Sequence, residues 1–330
     1  HRALESEAIK RGLMLLGGSH ETVPQVLGID PLERELYRLG QKQPTEEMKS
    51  RMAMINGVRE LFTGDPFNTN FCMSNPQARA IVTKTVCDYA QLNTHVTYLH
   101  VWLADYQMNH CECDACRIKR PSDWYVVLLN EIDAELTRRN LDTKLTFSFY
   151  VDSMFAPVVE RINNPDRFMF TFCPISRSYT SSITEDSVPA PPVPYIRNAW
   201  QRPSEPTAVF GLLQEWKKMF PGPYSVFEYH FWKHQYFDLS GLRLAERIYE
   251  DIESYKAHGI DGLIACGSQR SFFPNGFAYY VFARKQYDVS LTFEELFEGT
   301  RYIFTLDKNG ETTAKDMIML MGIILAPNKK

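Results

Sequence analysis

Six short apolar runs, alternating for the most part with segments of helical character, constrain this chain more than any other feature. The runs are Leu13–Leu16, residues 96–103, residues 145–150, residues 168–173, residues 225–229 and residues 262–267. Continuous apolar stretches of this length suit strands buried on both faces. The helical segments between and after them are 75–93, 124–139, 205–219, 241–258, 275–286 and 292–304, with a further one at 2–11. Asn75-Pro76 puts a capping asparagine and a first-turn proline at the start of one. Ser122 is placed to cap another, whose Val127, Leu128, Ile132 and Leu136 recur at helical spacing. Strands alternating with helices predict a parallel sheet with right-handed crossovers. No glycine-rich phosphate loop follows any strand, which argues against dinucleotide binding or nucleotide hydrolysis. Residues 21–74 read as irregular, with an Asn56-Gly57 turn able to close a hairpin. Residues 174–202 form a long proline-rich loop, the kind of segment that is functional or disordered.

The 330 residues, 44% of them hydrophobic, suffice for a full core. That length allows one large domain or two ordinary ones, and single α/β barrels reach it. A net charge of -4 with mixed signs does not suggest a nucleic-acid or anionic-membrane partner. The apolar run Met317–Ala326 is about half of what a membrane span needs and reads as a C-terminal packing helix. With His1 first, no signal peptide is on view; the chain reads as a trimmed piece, and its localisation is not legible.

Carboxyl ends of parallel strands are where α/β barrels keep their chemistry. Those positions carry His20, Asp105, Tyr150, Cys173, Glu228 and Gly267, with Gln269 just beyond. Asp105 and Glu228 are two carboxylates from different strands, the pair that glycoside hydrolysis requires. Glu228 is flanked by Phe227, Tyr229, Phe231 and Trp232, an apolar setting that would raise its pKa and favour a general acid. The plainer reading makes either acid a surface or salt-bridged residue. His20 follows a flexible Gly17-Gly18-Ser19 turn and could bind a sugar hydroxyl or serve as a structural histidine. His230 and His234 follow a strand, so packing or cleft roles suit them better than a metal.

The chain has seven cysteines. Cys72, Cys87 and Cys266 lie in apolar surroundings and read as small core residues. Cys111, Cys113 and Cys116 crowd into Cys111-Glu112-Cys113-Asp114-Ala115-Cys116. A structural zinc site wants four ligands, so a fourth must come from elsewhere. His110, Asp114 and Cys173 are the candidates, with Cys173 preferred for its strand-end position. A local disulfide with a spare thiol and three reduced cysteines remain as alternatives.

Several blocks in order carry a resemblance. They are Gly17-Gly18-Ser19-His20, Asn70-Phe71-Cys72-Met73-Ser74-Asn75-Pro76, Asp105 with the cysteine cluster, Pro121-Ser122-Asp123, Phe172-Cys173-Pro174, Phe227-Glu228-Tyr229 and Gly259-Ile260-Asp261-Gly262. Together they resemble a bacterial domain of unknown function similar to glycoside hydrolase family 163, whose characterised activity is endo-β-N-acetylglucosaminidase action on complex N-glycans. The resemblance spans about residues 1–305. It implies an α/β fold of the (β/α)8 TIM-barrel type, lacking its first two strands in this chain, as one catalytic domain over 1-305 with a helical tail over 306-330. It also implies a retaining mechanism in which the substrate's own acetamido group acts as nucleophile. Glu228 is then the expected general acid/base. Asp105 is expected to polarise the acetamido group or stabilise the oxocarbenium-like state. His20, Tyr150, Tyr229, Trp232 and Gln269 are expected to contact the sugar, and Cys111, Cys113, Cys116 and Cys173 to hold a structural zinc. No catalytic cofactor is expected, and the implied partner is a glycan substrate. A secreted, periplasmic or cell-surface location follows from the resemblance alone. The family more often reads Trp-Asp-Tyr where this chain has Phe227-Glu228-Tyr229. A non-catalytic carbohydrate-binding domain of a larger surface protein is the alternative.

Overall fold

The structure, a computed structural model, describes residues 6–7, 9–11, 15–18, 20, 22–183, 187–199, 203–232, 238, 241–267 and 276–299. Among these, six strands stand in the six expected places. They are β1 Leu16–Gly17, β2 Tyr98–His100, β3 Lys144–Phe149, β4 Phe168–Phe172, β5 Tyr224–Phe231 and β6 Gly262–Gly267. The chain divides into two compact units. One holds the residues up to Phe172 together with 191–202 and 211–223; the other holds 173–190, 203–210 and the residues from 224 onward.

In the first unit β1, β2, β3 and β4 pair in chain order, all parallel. The register aligns Leu99 with Leu145 and Phe147 with Phe170. A parallel order that never reverses is compatible with a partial α/β barrel and unlike a doubly wound sheet, whose order switches direction. The helix Pro76–Leu92 crosses from β1 to β2, and the helix Pro121–Arg138 from β2 to β3. Asn75 caps the first as expected, its Oδ1 accepting the amides of Gln77 and Ala78 at 2.9 and 3.3 Å. The cap of the second lies two residues before the expected one. Arg120 takes the cap position, Pro121 the first turn, and Ser122 lies inside the helix.

One crossover departs from the expected alternation. Between β3 and β4 the chain makes only the 3-10 turns Val151–Met154 and Pro165–Arg167. Pro157 and Pro165 remove amide donors within this stretch, which works against a continuous helix. The buried carboxylate of Asp123 supplies the order instead, accepting the amides of Val158, Val159 and Glu160 at 2.8–2.9 Å. Residues 21–74 are also more regular than expected, with short helices Thr22–Leu27, Arg34–Arg38 and Glu46–Arg51. Asn56 and Gly57 both have positive φ, 50° and 83°, and a bridge closes between Ile55 and Val58. That is the tight reversal expected of an Asn-Gly pair.

The core of this unit is aromatic. Phe147 meets Phe170 and Phe220 at ring distances of 5.2 Å each, and Phe170 meets Trp216 at 4.9 Å. Five of the six residues of β3 are buried, as a strand covered on both faces requires.

In the second unit β5 and β6 pair in parallel, with a register shift between Glu228 and Phe231. The helices Leu242–Ala257, Gly276–Tyr287 and Phe293–Gly299 enclose a core of Phe231, Ala245, Ile248, Phe277, Val281 and Leu296. The expected tail at 306–330 and half of the helix at 2–11 lie outside the described residues. Among the described residues no helix is long and apolar enough to cross a membrane.

Candidate functional site

The first unit gathers three of the expected site residues at the carboxyl end of its strands. Beyond β2 the chain runs on through Val101, whose amide donates to the Thr146 carbonyl at 2.9 Å. Two residues further, the Leu103 carbonyl faces Nδ1 of His20 at 2.6 Å. A carbonyl only accepts, so Nδ1 carries a proton. The His20 ring lies 4.8 Å from Trp102, and Trp102 lies 4.9 Å from His100. Asp105 then emerges exposed. Its amide donates to the Phe67 carbonyl at 2.9 Å, and its Oδ1 accepts the Tyr150 hydroxyl at 2.9 Å. Val151, directly after Tyr150, holds φ 52°, a conformation that is an outlier for a β-branched residue. Strain of that kind costs about 1–3 kcal/mol and gathers at functional sites.

The loop that presents Asp105 is pinned by two buried asparagines. Oδ1 of Asn70 accepts the Ala104 amide at 3.0 Å, and its side-chain nitrogen donates to Asn109 at 2.7 Å. Asn109 in turn donates to the Asn68 carbonyl at 2.8 Å.

Two residues after Asn70 comes Cys72, and here the structure corrects the sequence reading. The fourth sulfur beside Cys111, Cys113 and Cys116 belongs to Cys72, where Cys173 was expected. Cys72 read as a core residue because Phe71 and Met73 flank it; it is buried, but its thiol faces the cysteine loop. Its sulfur lies 3.6 Å from that of Cys111, 3.7 Å from Cys113 and 3.8 Å from Cys116. All four are free thiols. The signal that could have found Cys72 was the cluster's own deficit of one ligand, set against a cysteine three residues before a helix cap.

Donors surround the four sulfurs. The amides of Met54 and Ser74 reach Cys111 and Cys116 at 3.2 and 3.3 Å. Arg59 places guanidinium nitrogens 4.0 Å from Cys111 and 3.9 Å from Cys72. Hydrogen bonds from Cys111 and Cys116, with help from Arg59, hold the Cys72 thiol far below its ordinary range. The proline-rich loop is tied down over this cluster. Arg197 donates to the carbonyls of Cys111 and Cys116 at 3.1 and 3.0 Å, and Asn198 exchanges hydrogen bonds with the His110 backbone.

Cys173 belongs to the second unit, where burial pushes its thiol up, with Glu228 and Cys266 adding to the effect. Glu228 is there too, and its setting differs from the apolar one read from its neighbours. Strand residues alternate faces, so Phe227 and Tyr229 do not surround it. Instead Oε1 faces Arg177 at 3.3 Å and accepts the Tyr255 hydroxyl. Oε2 accepts the Tyr179 hydroxyl and the Tyr229 amide, the latter at 2.8 Å. Arg177 is bidentate on Asp251, which also faces Nε2 of His230 at 2.8 Å. The side chains of Arg177, Glu228, His230 and Asp251 are all 0% exposed. Burial works against the Arg177 charge, but Asp251 and Glu228 outweigh it and hold that charge firmly. Burial raises Asp251 while Arg177 and His230 lower it, for a net value of about 2.

Glu228, His230 and Asp251 are close enough to share an ion. Arg177 already lies against both carboxylates, so the group reads as a closed ionic core. Tyr229 is buried beside this core, whereas Trp232 is 44% exposed. Gln269 and His234 lie outside the described residues.

A parallel α/β unit with a polar strand-end mouth and a four-cysteine brace defines the class. The chain belongs to the family described as Domain of unknown function (DUF4838), whose model matches residues 38–288. No curated protein matches the chain. No solved structure matches it.

Proposed function

We propose that the chain is a glycoside hydrolase that cleaves β-linked N-acetylglucosamine in N-glycan-type glycans, built on the (β/α)8 plan of such enzymes. The observation that carries this reading is the exposed Asp105 carboxylate in the loop beyond β2, oriented by the Tyr150 hydroxyl at 2.9 Å. The His20–Trp102 pair and the 43% exposed Tyr106 offer a ring nitrogen and ring faces for a sugar. In a retaining, substrate-assisted reaction the acetamido carbonyl oxygen attacks C1 as the leaving sugar departs with a proton. Asp105 would accept the acetamido N–H and stabilise the positive charge that develops on that group.

The general acid/base in this proposal is Glu228. Its carboxylate is buried against Arg177, so reaching a substrate requires that pair to open. That same burial favours a second reading, a carbohydrate-binding domain without catalysis. Incubation of the protein with N-glycoproteins, followed by mass spectrometry of released glycans, separates the two. Release that falls by about 10²–10⁴-fold in Glu228→Gln supports Glu228 as the acid, since general acid–base catalysis contributes that much. Glycan binding by the native chain with no release supports the binding domain, and neither release nor binding removes both readings.

A further inference from the structure

We infer that Cys72, Cys111, Cys113 and Cys116 together bind one zinc ion in a closed, tetrahedral, all-sulfur site. The spacing of the sulfurs carries this. Zinc–sulfur bonds of about 2.3 Å at tetrahedral angles put neighbouring sulfurs about 3.8 Å apart. The Cys72 sulfur lies 3.6–3.8 Å from each of the other three. A disulfide needs about 2.05 Å, and none of the four thiols is so paired. A cluster of several irons would hold its sulfurs much further apart, so a single ion fits this tetrahedron. Four soft thiolates around one centre select zinc among common divalent ions.

The surroundings suit a charged centre. Four thiols release four protons on binding, leaving a site of charge -2. The Met54 and Ser74 amides and the Arg59 guanidinium point at the sulfurs and offset that charge. Cys72, Cys111 and Cys116 are buried and only Cys113 is half-exposed, so no open position remains for a substrate. The role is structural. The ion would join the 67–74 segment to the 104–116 loop, the two segments that also meet at Asn70 and present Asp105. The site stands whether or not the chain acts on glycans.

Metal analysis of the purified full chain tests this directly. About one zinc per chain is expected, released in full when a mercurial blocks the thiols. Cobalt exchanged into the site should give the strong sulfur-to-metal charge-transfer absorption of a tetrahedral thiolate centre. Cys72→Ser and Cys113→Ser should lower zinc to below about one-tenth per chain, whereas Cys173→Ser should keep about one. Iron in place of zinc, no metal with no cobalt spectrum in the native chain, or loss of metal in Cys173→Ser with retention in Cys72→Ser would each overturn the assignment. The native-chain stoichiometry and cobalt spectrum do not depend on any variant folding.

Discussion

The sulfurs of Cys72 and Cys111 lie 3.6 Å apart across 39 positions of sequence. Two residues before Cys72, Asn70 reaches the same loop through Ala104 and Asn109. The 67–74 segment therefore grips the 104–116 loop twice, once by sulfur and once by amides. The second grip sits next to the carboxylate proposed to meet substrate.

Asp105→Asn should abolish most glycan release with little loss of stability. Removing one electrostatic stabiliser of a transition state costs about 10²–10³ in turnover. An exposed residue contributes within about 0.5 kcal/mol to folding. Turnover and urea denaturation of the same preparation check both halves. Tyr150→Phe should lower turnover by a smaller factor, since it removes only the hydroxyl that orients Asp105. Undiminished turnover in Asp105→Asn would take this residue out of the mechanism.

Asn70→Ala should destabilise the first unit by about 1–3 kcal/mol, the cost of leaving buried polar partners unpaired. Ala104 and Asn109 lose their partner together. Amide hydrogen exchange should quicken at residues 104–109 before it quickens in β3. Equal protection in both places would show that Asn70 does not hold the loop.

Arg177→Met should cost about 3–5 kcal/mol, because Glu228 and Asp251 would be left buried without a cation. The double variant Arg177→Met with Asp251→Leu should recover part of that loss, and a thermal-unfolding cycle measures the coupling. The pair also sets an acid limit. Asp251 titrates at about 2 in the folded chain against an ordinary 3.8. Its stabilisation is therefore complete above about pH 4 and lost as pH falls towards 2. Arg177→Met should flatten that part of the stability profile.

His100 predicts a second, milder pH effect. Burial lowers its pKa to about 4, and its Nδ1 partners the Thr146 hydroxyl. Between pH 6.5 and 4 the unfolded chain binds a proton there that the folded chain refuses, so stability falls as pH falls through that window. The imidazole should remain neutral at about pH 5.5 by NMR. His100→Gln should remove this contribution to the slope of stability against pH. A protonated His100 at that pH would contradict its burial.

The six strands and the main helices were legible because their signals are local. Apolar runs, helical spacing, the Asn75 cap and the Asn56-Gly57 turn each act over a few residues. The β3–β4 crossover was harder, because its order comes from Asp123, which lies more than thirty positions from the amides it binds. Legible too were the C-x-C-x-x-C spacing and the placement of Asp105 and Tyr150 at strand ends.

The sequence by itself determined the parallel α/β alternation, the strand-end residues and three-quarters of the cysteine cluster. Only the tertiary structure decided that the fourth sulfur is Cys72 and that Glu228 turns into a buried network with Arg177 and Asp251. Both depend on which remote segments converge, and that is settled by packing and by the need of buried charges and thiols for partners. Neighbours along the chain carry no record of it.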